Sequence, residues 1–144
     1  MLSELTACHL RYGGPVATVL VVDDTPSIRF LIRTNLELAG HDVVEAFDGR
    51  DCLDMLAASD PPPDVVTMDL MMPRMDGLAA VRHIRADPRW EAMAIVMVTT
   101  QGQHDDLTAA RAAGVDAYVT KPFEPDALVA TIERAIADRR AGQA

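Results

Sequence analysis

Three stretches of the chain are continuous apolar runs, and each stops at a polar residue. Thr18-Val19-Leu20-Val21-Val22 runs into Asp23-Asp24, Val65-Val66-Thr67-Met68 into Asp69, and Ala94-Ile95-Val96-Met97-Val98 into Thr99-Thr100. Short β-branched runs of this kind predict strands buried on both faces. Two further short runs, Asp42–Ala46 and Ala117–Thr120, predict a second and a fifth strand, the last leading into Lys121-Pro122-Phe123. Between the strands the apolar spacing becomes helical. Ile28, Leu31, Ile32, Asn35 and Leu36 follow Thr25-Pro26, a suitable cap and first helical residue, and stop at Gly40. Asp48 can cap a helix carrying Cys52, Leu53 and Leu56. Leu78, Val81 and Ile84 mark a helix that begins after Pro73 and Asp76-Gly77 and ends near Asp87-Pro88. A fourth helix, about 105–113, is alanine-rich, and Leu107 is its only large apolar residue, so weak anchoring is expected. The fifth, about Pro125 to Arg139, places Leu128, Ile132, Ala135 and Ile136 on one face.

Strand and helix therefore alternate five times, with no repeat and no linker. Such alternation predicts an α/β fold in which a parallel sheet carries helices on both faces. At 144 residues the common solution is the flavodoxin-like (βα)5 doubly wound sheet with strand order 2-1-3-4-5. One domain is expected over residues 18–140, preceded by a leader, 1–17, without clear period, and followed by a frayed tail, 141–144.

Charge narrows the function. The net charge of −9 lacks the basic patch that nucleic acid requires, so no nucleic-acid partner is expected. No apolar run is long enough to span a bilayer, and no basic head precedes an unbroken apolar stretch, so neither membrane insertion nor a signal peptide is expected. Two cysteines, Cys8 and Cys52, make no disulfide framework, which suits a reducing cytoplasm. Cys52 reads as a small core residue, Trp90 as an anchor, and the scattered His9, His41, His83 and His104 as surface residues.

In sheets of this topology, ligands sit beyond the carboxyl ends of the strands at the switch point. The residues there are Asp23 and Asp24, Asp69, Thr99 and Lys121. Three carboxylates in one place repel, and a hard divalent cation relieves the conflict. Few oxygen ligands with water left over suit Mg²⁺. A carboxylate can attack phosphorus to give an acyl phosphate, with the cation and Lys121 neutralising the phosphoryl oxygens and Thr99 hydrogen-bonding one of them. No second base is placed for fast hydrolysis, so the phosphorylated state is expected to last. Of thirteen basic residues only Lys121 is a lysine; a compact ammonium suits a tight pocket better than a planar guanidinium.

The motifs Val21-Val22-Asp23-Asp24, Met68-Asp69-Leu70-Met71-Met72-Pro73-Arg74-Met75-Asp76-Gly77, Val98-Thr99-Thr100 and Lys121-Pro122-Phe123, in this order, resemble the receiver domain of two-component response regulators over about Thr18 to Ala137. The resemblance implies a stand-alone, chemotaxis-regulator-like receiver in a phosphorelay, with Asp69 as phosphoacceptor. It implies that Asp24, Asp69 and the backbone oxygen of Met71 hold Mg²⁺ directly, and that Asp23 holds it through water. Thr99 and Tyr118 become a switch pair and Lys121 the phosphate contact, before a cis Lys121-Pro122 bond. The partners implied are a sensor histidine kinase or phosphotransfer protein and a downstream protein met by the face of the fourth helix, fifth strand and fifth helix. The state implied is a monomer or a phosphorylation-dependent dimer. Such a protein is not an enzyme beyond phosphotransfer to itself and slow autodephosphorylation. Thr100 and Met71 depart from the usual pattern and point to a long acyl-phosphate lifetime.

Two rivals come from other classes. A phosphatase of the haloacid dehalogenase type also uses an aspartate and Mg²⁺, but needs a second aspartate two residues after the first; counted from Asp23, that position is Thr25. A phosphorylation-independent interaction module on the same fold would have little use for the full acidic set and Lys121.

Overall fold

The computed structural model describes residues 16–72, 75–100 and 104–143, with the side chains at 104–106 and 143 outside the description. The leader up to residue 15, Pro73, Arg74 and Ala144 thus lie beyond the described residues. The elements are β1 (Thr18–Val22), α1 (Pro26–Leu38), β2 (Asp42–Ala46), α2 (Gly49–Ala58), β3 (Val65–Met68), α3 (Gly77–Ala86), a 3₁₀ turn (Pro88–Trp90), β4 (Ala94–Thr99), α4 (His104–Ala113), β5 (Ala117–Thr120) and α5 (Pro125–Gln143). All strand pairs are parallel, and the order is β2-β1-β3-β4-β5, as the alternation predicts.

The continuous apolar runs are explained by two cores. Val19, Val21, Val65, Val96 and Val98 face α1 and α5, meeting Ile32, Leu36, Leu128, Ile132 and Ile136. Leu20, Val22, Val66, Met68, Ile95 and Met97 face the other way, against Cys52, Leu56, Val81, Ile84 and Trp90. Because side chains alternate across a strand, a strand covered on both faces needs apolar residues at every position. Burial pushes the Cys52 thiol up to about 12, which leaves it an inert core residue. No helix among the described residues is long and apolar enough to cross a membrane.

Local signals hold at most helix ends. Asp48 and Asp76 accept from the N–H of Asp51 and Ala79, each at 2.8 Å, and cap α2 and α3. Thr25 stands at the N-cap of α1 but its side chain makes no capping bond. Gly40 takes φ +95°, which lets the His41 N–H reach back to Leu36 O at 3.0 Å and close α1.

Four expectations change. Leu31 does not face the core: it is 43% exposed, because Ile28, Ile32 and Leu36, four apart, already fill the inner stripe of α1. His41 is not a surface residue. It is buried, its Nδ1 accepts from the Ala17 N–H at 3.0 Å, and its Nε2 lies 2.8 Å from Glu133 Oε2. Ala17, assigned to the leader, is itself part of the core. Helix α5 runs to Gln143 and includes most of the expected tail. Arg139 bonds Glu91 O at 2.9 Å and Arg140 bonds Asp64 at 2.6 Å, which ties that end of the helix to the body.

Among the described residues, one core atom is left over. Thr67 Oγ1 is buried on β3, between Val21 and Val96 in register, with no hydrogen-bond partner. An unpaired buried hydroxyl costs on the order of 1–3 kcal/mol. Thr67→Val, nearly the same shape, should therefore raise stability by ~1 kcal/mol and the melting temperature by roughly 4 °C in calorimetry; a lower midpoint would show that the hydroxyl is stabilised.

Candidate functional site

The sheet brings its carboxyl-terminal strand ends together by extending the ladder one residue past the strands. Asp23 N–H donates to Ala46 O at 3.2 Å and Asp69 N–H to Val22 O at 3.1 Å, so β2, β1 and β3 are stitched at the point where the acids begin. Lys121 N–H donates to Thr99 O at 2.7 Å, which sets the last strand end against β4. Asp23, Asp24 and Asp69 each offer a carboxylate oxygen within 4.8 Å of the others. Asp23 and Asp69 are buried, and Asp24 is exposed at the mouth.

Asp23 is the most restrained of the three. Its Oδ1 accepts from the Thr25 N–H at 2.9 Å, its Oδ2 from Lys121 Nζ at 2.8 Å, and its carbonyl from Arg29 Nη1 at 2.7 Å. Lys121 Nζ stands 3.5 Å from Asp69 Oδ2, and the Met71 N–H lies 3.4 Å from Asp69 Oδ1. Burial, then the neighbouring Asp23 charge, pushes the Asp69 carboxyl above the usual carboxylate range; Lys121 and the Met71 N–H offset part of this.

The direction of that shift fixes a pH dependence. A carboxyl raised in the folded protein adds stability below the usual carboxylate range, and the gain is lost as pH rises through the raised value. At neutral pH the Asp69 charge is therefore a burden on the metal-free fold. Asp69→Asn should melt higher than wild type at pH 7 in EDTA, with the difference fading toward pH 4. Equal melting temperatures at pH 7 would contradict this.

The loop after β3 is held by close backbone approach. Gly77, the first residue of α3, donates its N–H to Leu70 O at 2.9 Å, and a Cβ at Gly77 would overlap the carbonyl oxygen of Asp69. A Cβ at Gly49 would lie 2.7 Å from Met75 O. The sequence alone marks Gly77 as loop punctuation and as the end of a family motif, and gives Arg29 no role. The Asp-Gly pair just after the acidic loop was the available signal for the first; a basic residue one turn into α1 was the signal for the second.

Of the residues named from the sequence, the structure thus gathers Asp23, Asp24, Asp69 and Lys121 around one point and places Met71 beside Asp69. Thr99 is buried at the end of β4 and linked to Lys121 through its carbonyl. Tyr118 stands on β5 opposite Met97, half-buried, in the wall of an open groove of about 360 Å³ with Arg111 and Val115. The Lys121-Pro122 bond is cis. Oxygen-only donors, three negative charges and an exposed side at Asp24 suit a hard divalent cation such as Mg²⁺.

Comparison with known proteins agrees with this fold. The model of the response regulator receiver domain family matches residues 19–133. A chemotaxis protein CheY homolog of Campylobacter jejuni is 40% identical over 116 residues, which cover 80% of this chain and 88% of that protein. RpaA of Synechocystis, described as a DNA-binding dual master transcriptional regulator, is 36% identical over 114 residues, 79% of this chain but only 46% of RpaA. The chain thus spans less than half of that relative. The solved structure of Vibrio cholerae chemotaxis protein CheY4 superposes with a TM-score of 0.78 at 33% identity, over 83% of this chain and 98% of CheY4. With the family model covering most of its length, the chain belongs to the response regulator receiver domain family.

Proposed function

We propose that this receiver accepts a phosphoryl group on Asp69 and uses it to switch a protein-binding face. The observation that carries the reading is the convergence of Asp23, Asp24 and Asp69 with Lys121 at one end of the sheet. An Asp69 Oδ attacks the phosphorus of a phosphohistidine on a sensor kinase or phosphotransfer protein. The P–N bond breaks, its electrons return to the imidazole, and Asp69 becomes an acyl phosphate. Asp24, Asp69 and the Met71 carbonyl would hold Mg²⁺ directly, with Asp23 acting through water. Bound there, Mg²⁺ supplies neutralising charge to the phosphoryl oxygens. Lys121 needs only a small swing from Asp23 to meet an oxygen on Asp69. Thr99, one strand away, donates its hydroxyl to another.

The switch follows as a shift of population. Drawing Thr99 toward the phosphoryl group leaves room for Tyr118 to turn inward, and α4, β5 and α5 repack. Moving such an equilibrium from 1:99 to 99:1 takes about 5.5 kcal/mol. Charge-assisted hydrogen bonds at ~1.5–3 kcal/mol each supply much of that. Among the described side chains of α4 only Ala110 reaches full burial in the core clusters, which makes this helix easy to move. The protein then acts in the cytoplasm as a long-lived signal, not as a turnover enzyme, and its target meets it as a monomer or as a dimer formed on phosphorylation.

Intact mass after incubation with acetyl phosphate and Mg²⁺ tests the reading. Wild type should gain one phosphoryl adduct, lost with EDTA and in Asp69→Ala. No adduct in wild type would favour a phosphorylation-independent interaction module. An adduct that survives in Asp69→Ala would put the chemistry on another acid, and hydrolysis of added phosphate esters would favour the phosphatase.

A further inference from the structure

Arg29 grips the backbone of the acidic turn and leaves its carboxylates alone. Its Nη1 donates to the Asp23 carbonyl at 2.7 Å, while its Nε lies 3.1 Å from Glu45 Oε1 on β2. Its side chain is 18% exposed, so the bridge is largely shielded from water. Glu45 is fixed in turn by Arg33, whose Nη1 is 2.6 Å from Oε2, and that bond first, with Arg29 adding to it, holds the Glu45 carboxyl below its usual range. The bridge therefore runs from a strand to the turn, with one anchor already immobile.

The Asp23 carbonyl belongs to the peptide that joins Asp23 to Asp24. A planar peptide oriented by a bond to its carbonyl fixes where the next Cα stands. The Asp23 amide is held by Ala46 O, its side chain by Thr25 and Lys121, and its carbonyl by Arg29. With all three groups fixed, the exposed Asp24 carboxylate starts from a defined place facing Asp69. We propose that Arg29 is a positioning residue for the cation site, setting the separation of the Asp24 and Asp69 carboxylates through the Asp23–Asp24 peptide. The inference rests on reading Asp23, Asp24 and Asp69 as a Mg²⁺ site.

Charge and position predict opposite signs. Arg29 is a cation beside a cation site, so on charge alone its removal should tighten Mg²⁺. If its role is position, removal should weaken Mg²⁺. Partners that orient metal ligands typically change affinity by about 10–100-fold when lost. Calorimetric titration of Mg²⁺ into metal-free protein reads this directly. Arg29→Met should raise the Kd about tenfold. Arg29→Lys keeps the charge but lacks a fork able to reach both Glu45 and the carbonyl, so its Kd should rise as well. Arg33→Met loosens the same Glu45 without touching Asp23 and should raise the Kd by less than Arg29→Met does. Thermal melts in EDTA serve as the structural control, since both methionine variants lose a bond to Glu45 and should melt lower. Arg29→Met binding as tightly as wild type, or tighter, overturns the inference while the cation site stands. Wild type that takes up no Mg²⁺ overturns both, and the phosphoryl-adduct measurement then shows whether the phosphoacceptor reading falls with them.

Discussion

Lys121→Met should take up the phosphoryl group from acetyl phosphate roughly 100-fold more slowly than wild type, the cost of removing one preorganised charge from a transition state. The Lys121 ammonium sits 2.8 Å from Asp23 and 3.5 Å from Asp69, with its side chain 12% exposed. It stands beside the position the phosphoryl oxygens will occupy and needs only a small swing from Asp23 to reach it. The same variant should show that the loss is not one of metal binding. Without the ammonium competing for Asp23 and Asp69, Mg²⁺ should bind at least as tightly. The fold should also weaken in EDTA, by ~2 kcal/mol, less than the roughly 3–5 kcal/mol of a fully buried broken pair because the site opens to water at Asp24. The weakening should be greater at pH 7 than at pH 4, since the loss of Lys121 removes the main force opposing the raised Asp69 carboxyl. Lys121→Arg restores charge but not shape: a planar guanidinium does not fit where an ammonium already touches two carboxylates, and it should recover little of the rate. A Lys121→Met protein labelled at the wild-type rate would remove Lys121 from the chemistry.

The acids and the lysine were legible in the sequence because topology alone puts strand ends together. Asp23 and Lys121 are 98 residues apart, yet each follows a strand of one sheet whose order the alternation of elements already implies. The strands themselves were easy to bound, since a parallel strand covered on both faces admits no charged residue until it ends. What could not be read depends on contacts with no local signature. His41 looks like any polar residue after a helix; its partners, Ala17 and Glu133, lie 24 and 92 residues away. Leu31 fits the helical period as well as Ile32 does, and only the crowding of the inner stripe sends it outward. The Thr67 hydroxyl lies inside a run that reads as largely β-branched, so nothing before the fold marks it as stranded. Arg29 acts on a backbone carbonyl, and backbone atoms leave no trace in residue identity.

Gly77→Ala should cost both stability and phosphorylation, although alanine is the better helix former by about 0.5–1 kcal/mol. No positive φ demands glycine here; the constraint is space. The atoms a Cβ would meet are backbone: the Asp69 carbonyl oxygen first, then the Asp69 carbonyl carbon and Leu70 Cα, both at 3.0 Å. Backbone cannot rotate aside as a side chain can, and Asp69 is tied to Val22 through its own N–H. Overpacking of this kind typically costs ~1–3 kcal/mol. The larger effect should fall on chemistry. The atoms pushed are those of the acceptor residue, and a displacement of ~1 Å can cost roughly 100-fold in rate. Labelling by acetyl phosphate, followed by intact mass, should therefore slow far more than the melting temperature falls. Gly142→Ala is the matched control: nothing lies within 4 Å of its Cβ position near the end of α5, so alanine there should be neutral or slightly stabilising and should label normally. If Gly77→Ala melted lower but labelled at the wild-type rate, the strain would have been relieved by moving the start of α3, whose Asp76 cap is exposed, and Asp69 would not depend on Gly77. If the dependence holds, the glycine after Asp76 belongs to the phosphoacceptor's support: it lets the helix start close enough to hold the Asp69–Leu70 backbone in place beside Asp23 and Lys121.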